Sequence, residues 1–157
     1  MLNGGLPKWE SEGYEVAKGE LEYEEYQKGD FDYKLNEEMY YRFEDIRNWE
    51  QNKDSFNLIE ARPKVSEAGK HIEGSQIMPY VNFQNKSEKG YTTMKSPQEI
   101  KSIFETNGPN LQKKTVFTCG GAITACIDAL AFTMAYGDDQ KFGIYDGSFS
   151  EYSVRSK

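Results

Sequence analysis

The chain has 157 residues, of which 37% are hydrophobic and 14% aromatic, and carries a formal net charge of −7. That length and apolar content suit one domain with a real core. The acidic balance argues against nucleic acid and anionic membrane as non-specific partners, since both need a basic face. No apolar run approaches the roughly 20 residues of a membrane span. The opening MLNGGLPKWE lacks the charged-then-apolar pattern of a signal peptide. Cys119 and Cys126 are the only cysteines, too few for a disulfide scaffold, and they imply a reducing compartment.

In chain order, residues 10–35 form an acidic, aromatic connector with a short predicted strand at Phe31–Leu35. The run ELEYEE at 20–25 reads as solvated linker rather than metal site. Asn36 can cap a predicted helix reaching about Lys53, with Met39, Tyr40, Phe43, Ile46 and Trp49 on one apolar face. Phe56–Ile59 reads as a strand, ended by Pro63. HIEGSQIMPY at 71–80 reads as turn and short extended pieces. Ser96-Pro97-Gln98-Glu99 is a helix start, with a cap, a first-turn proline and a capping box. Ile100, Ile103 and Phe104 supply that helix's buried stripe, and Gly108-Pro109 ends it. TVFT at 115–118 is a buried strand, 123–136 an apolar helix and FGIYD at 142–146 a last strand. Helices alternating with short apolar strands predict an α/β domain with a mostly parallel sheet.

Cys119 therefore falls where a central strand meets a helix, the place where α/β sheets hold ligands. Gly120 and Gly121 let backbone N–H groups face inward, and the next helix aims its positive end at the same spot. Such a setting stabilises thiolate and a bound anion. A buried cysteine closing a strand is the plainer alternative. Cys126, inside the apolar helix, is expected in the core, too far along it to bridge Cys119. Cysteine phosphatases share a strand–cysteine–helix arrangement but need an arginine six positions on. Here that position is Ala125, which disfavours phosphate-ester chemistry. One histidine and two cysteines make no credible zinc set, so no metal is expected.

CGGAITAC at 119–126 resembles the active loop of the rhodanese superfamily, in particular of mercaptopyruvate sulfurtransferases. IEAR at 59–62, HIEGSQIMPY at 71–80, SPQEIKSIF at 96–104 and IYDGSFSEY at 144–152 resemble further family segments in consistent order. The resemblance implies a three-layer rhodanese-like domain with a central parallel sheet of about five strands and helices on both faces. It implies a sulfurtransferase without cofactor, in which Cys119 is the nucleophile and carries sulfur as a persulfide. Backbone N–H groups of Gly120, Gly121, Ala122, Ile123 and Thr124 would line the cradle, the Thr124 hydroxyl would bond the sulfur, and Arg62 would hold a substrate carboxylate. His71 would belong to a structural turn.

The neutral Gly120 and Gly121 favour 3-mercaptopyruvate over thiosulfate as the small-molecule donor. The acceptor would be cyanide or a thiol, such as thioredoxin or a low-molecular-weight thiol. A rhodanese-like module that binds or regulates without transferring sulfur is the competing reading. The family pairs two such domains in tandem, and LNGGLPKW at 2–9 echoes YDGSFSEY at 145–152. Residues 1–35 are accordingly expected to be the end of a preceding domain plus linker, and 36–157 the catalytic domain. An N-terminal rhodanese-like domain is expected to dock on it, in the cytoplasm or the mitochondrion.

Overall fold

The computed structural model describes residues 1–20, 28–63, 70–137 and 141–157. Most of ELEYEE lies outside the described residues. The chain opens with helix α1 (Gly5–Ser11) and later makes a 3-10 turn at Glu37–Met39. Strand β1 (Tyr40–Tyr41), helix α2 (Phe43–Gln51), β2 (Asn57–Glu60) and β3 (Gln76–Ile77) follow. After a second 3-10 turn at Tyr80–Phe83 come β4 (Gln84–Lys86), β5 (Thr92–Met94) and α3 (Pro97–Asn107). The last elements are β6 (Thr115–Thr118), α4 (Ile123–Tyr136), β7 (Phe142–Tyr145) and α5 (Ser148–Arg155).

Five strands form one sheet in the order β1-β7-β6-β2-β3, every pair parallel. β6 lies at its centre, paired to β2 through Val116 opposite Leu58 and to β7 through Val116 opposite Gly143. All four β6 residues are buried, as a central strand covered on both faces demands. One face packs Ile59, Ala61 and Phe117 against Ile100 and Phe104 of α3 and Ala125, Ala129 and Phe132 of α4. The other packs Leu58, Val116 and Tyr145 against Phe43, Ile46 and Trp49 of α2, with Phe149 and Tyr152 of α5 alongside. The domain is thus three-layered. Phe132 touches Phe104, Phe117, Tyr136 and Phe142 with ring centroids 5.0–6.5 Å apart. Truncating so central a ring costs about 3–5 kcal/mol.

Local chemistry sets the helix starts. The Ser96 hydroxyl accepts from the Glu99 amide while the Glu99 carboxylate accepts from the Ser96 amide, which starts α3. The segment after Asn36 departs from expectation. Asn36 caps only the short 3-10 turn, by accepting from the Glu38 amide. Tyr40 and Tyr41 then pair with Ile144 and Tyr145 as an edge strand. The helix restarts where Asp45 accepts from the Arg42 amide. Phe43, Ile46 and Trp49 are buried as expected, whereas Met39 and Tyr40 are exposed. Sheet pairing, which helical periodicity does not register, claimed those two tyrosines. Phe31–Leu35 forms no strand and its side chains are exposed. The helix α5 was not foreseen. It begins at Ser148 after Gly147, as α1 begins at Gly5 after Gly4, although Gly4 is left-handed and Gly147 right-handed.

Candidate active site

β6 ends at Thr118 and α4 begins at Ile123, so Cys119–Ala122 make the whole crossing. Cys119 is 2% exposed and belongs to the α3–α4 side of the core. Burial, the largest single influence, pushes its thiol up. Hydrogen bonds from the Thr124 hydroxyl and from the amides of Ala125, Gly121 and Thr124 outweigh it and hold the thiol below its ordinary value. Four donors aimed at one sulfur make an anion cradle at a helix N-terminus.

The other residues of the predicted cradle are placed differently. The Ala122 amide is directed beneath the loop, to the Ser148 hydroxyl oxygen at 3.0 Å. The Ile123 amide bonds the Gly121 carbonyl at 2.9 Å. Gly120 offers its carbonyl to the Ser150 amide and hydroxyl. The first turn of α5 therefore underlies the loop, with the Phe149 amide donating to the Cys119 carbonyl at 2.9 Å. Sequence reasoning attached no role to Ser148, Phe149 or Ser150, nor a donor to Ala125. The only signal was the YDGSFSEY motif, noted without a function.

Arg62 stands beside the loop, where a Cβ on Gly120 would lie 3.7 Å from its Cδ. Its Nε and Nη2 donate to the two Glu60 oxygens at 2.8 and 2.7 Å, and Nη2 also reaches the Lys70 carbonyl. Its guanidinium lies 4.4 Å from the centroid of the Phe149 ring. The bidentate pair and the ring hold the fork in one plane, and Nη1 takes part in none of these bonds. Behind Phe149 runs a groove of about 890 Å³ with Lys70, His71, Tyr152 and Lys157 among its walls; Cys119 is not one of them. His71 Nε2 is buried there without a hydrogen-bond partner among the described residues.

Two positions in α4 overturn or extend the sequence reading. Cys126 is exposed, not in the core. The inward face is set by Ala125, Asp128, Ala129 and Phe132, and at 3.6 residues per turn Cys126 points away from it. Its thiol donates to the Ala122 carbonyl, and burial, the Cys119 charge and Asp146 push it up. Asp128 is fully buried, with no partner for either oxygen among the described residues. Burial, then the charges of Cys119 and Glu60, raise it to about 9. Among the described residues no group of three or more His, Cys, Asp or Glu side chains could hold a metal ion. None of their helices is long and apolar enough to cross a membrane.

Comparison with known proteins agrees with this fold. The Rhodanese-like domain family matches residues 43–155. Thiosulfate sulfurtransferase of Bos taurus is 32% identical over 99% of this chain and 53% of its own length. Human 3-mercaptopyruvate sulfurtransferase is 30% identical over 100% of this chain and 53% of its own length. This chain thus spans about half the length of the curated relatives it matches. Among solved structures, the 3-mercaptopyruvate sulfotransferase SseA from Escherichia coli superposes with a TM-score of 0.71 at 23% identity, over 94% of this chain and 55% of the other. A parallel sheet between two helical layers, a cysteine cradled where its central strand meets a helix, and this match over most of the sequence lead to one conclusion: the chain belongs to the rhodanese-like domain family.

Proposed function

We propose that this chain is the sulfur-carrying half of a sulfurtransferase, with Cys119 alternating between thiolate and persulfide. The observation that carries the reading is the set of four hydrogen-bond donors converging on the Cys119 sulfur. Such a cradle suits a thiolate and, equally, the terminal sulfur of a persulfide anion. The thiolate attacks the sulfur of a 3-mercaptopyruvate donor. The donor's carbon–sulfur bond breaks, its electron pair stays on carbon, and the former thiol proton ends on that carbon, giving pyruvate. A thiol acceptor, either a low-molecular-weight thiol or a thioredoxin-type protein, then takes the outer sulfur and returns Cys119 to thiolate.

Arg62 binds the donor's carboxylate through its Nη1 edge, held in plane by Glu60 and Phe149. Gly120 and Gly121 add no charge to the loop, which favours a monoanionic keto acid over the dianion thiosulfate. Ile123, 80% exposed at the start of α4, and Val81, 49% exposed, are apolar side chains that a preceding rhodanese-like domain would cover. Residues 1–35 are read as the end of that domain and its linker, with the catalytic unit at 36–157.

The test is the intact mass of the reduced protein after brief exposure to 3-mercaptopyruvate and, separately, to thiosulfate. Gain of one sulfur atom, absent in Cys119→Ser, is expected with 3-mercaptopyruvate. No gain from either donor, with or without the preceding domain supplied in trans, would leave a rhodanese-like binding module instead.

A further inference from the structure

Among the described residues, the non-glycine residues with positive φ are Ala122 at 61° and Ser148 at 49°. They are hydrogen-bonded to each other. The Ala122 amide donates to Ser148 Oγ at 3.0 Å, and the Cys119 amide donates to the same oxygen at 3.2 Å. The hydroxyl proton goes to the Tyr145 carbonyl at 2.9 Å. A serine hydroxyl has one donor and two acceptor sites, so this buried side chain is filled to capacity. Left-handed backbone at a residue with a Cβ is strained and persists where surrounding bonds over-determine it.

We infer that Ser148 is the positioning residue of the Cys119 loop: its hydroxyl locks the left-handed turn at Ala122 and so aims the remaining loop amides at the sulfur. A peptide plane is rigid, so fixing the Ala122 N–H downward fixes the whole 121–122 peptide. The chain then turns into α4 with the amides of Thr124 and Ala125 facing the sulfur. Five amides of the loop and the first turn of α4 thus fall into two sets. Those of Cys119 and Ala122 face the hydroxyl, and those of Gly121, Thr124 and Ala125 face the sulfur. The carbonyl bonds from Phe149 and Ser150 hold α5 in place beneath. Without the hydroxyl oxygen, the 121–122 peptide is free to rotate and the sulfur loses aligned donors.

The inference deepens the sulfurtransferase reading, but its test needs no sulfur donor. The rate of Cys119 alkylation by iodoacetamide is followed against pH by peptide mapping, in the native protein, Ser148→Ala and Ser148→Gly. The alanine variant keeps the Cβ and the left-handed φ and so isolates the hydroxyl, while the glycine variant also relieves the backbone strain and shows whether that strain matters. Both variants are expected to raise the apparent thiol pKa by about 1 unit, which is about tenfold less thiolate at any pH below the native thiol's pKa. Variants that melt earlier yet keep the native pH profile would overturn the inference, because a merely structural serine does only that. Amide hydrogen exchange on the native protein gives a measurement independent of variant folding. Slow exchange at Cys119 and Ala122 is expected; exchange there as fast as at open loop amides would also overturn it.

Discussion

Asp128→Asn is the most direct probe of the core beneath the active loop. The carboxyl lies on the inward face of α4 with Ala125, Ala129 and Phe132, fully buried and without a partner among the described residues. Its ordinary value of 3.8 is raised to about 9 in the fold, by burial first and then by the charges of Cys119 and Glu60. The folded chain therefore keeps a proton that the unfolded chain releases above pH 4. Stability from this group is fully present below about pH 4, falls by about 1.4 kcal/mol per pH unit, and levels off above about pH 9. At pH 7 the native protein is about 4 kcal/mol less stable than it would be with a permanently neutral group. The asparagine cannot ionise, and its own unmet hydrogen bonds are a pH-independent offset. Urea unfolding of both proteins between pH 5.5 and 7.5 should show the variant gaining about 3 kcal/mol on the native protein across that interval. Parallel stability curves would mean that Asp128 is ionised and paired in solution, and the burial argument would fail.

Two further outcomes concern the site. Arg62→Lys keeps a positive charge but loses the planar fork that grips Glu60 and so presents Nη1 to a carboxylate. The 3-mercaptopyruvate concentration for half-maximal sulfur loading should rise tenfold or more, read by mass, and an unchanged value would remove Arg62 from donor binding. The two thiols are pushed in opposite directions, Cys119 down and Cys126 up. Substoichiometric iodoacetamide at pH 6.5 should therefore label Cys119 first despite its burial, while above pH 9 the exposed Cys126 should catch up. Labelling of Cys126 first at pH 6.5 would contradict the cradle.

Elements whose signals are local were legible in the sequence. Ser96, Pro97 and Glu99 lie within one turn, and their mutual bonds start α3 wherever that helix is placed. TVFT was legible as a strand because burial on both faces leaves no polar alternation, and the run 123–136 and FGIYD because their length and apolar content suit a helix and a strand. Cys119 at the junction of strand and helix followed from those boundaries alone. What escaped was everything that depends on a distant partner. The helix expected from Asn36 breaks because Tyr40 and Tyr41 find β7, more than 100 residues away in the chain. The exposure of Cys126 was decided by which side of α4 faces the sheet, which an apolar helix does not announce. Asp128 is a carboxylate only until the fold removes water from it and brings the charges of Cys119 and Glu60 near. The bonds from Ser148 to the loop span 26 and 29 residues. The sequence by itself determined the loop's composition and its place between strand and helix, because those are properties of adjacent residues. Which amides face the sulfur and which face away was decided only when α5 packed beneath the loop, because a peptide plane takes its direction from the partner its N–H finds.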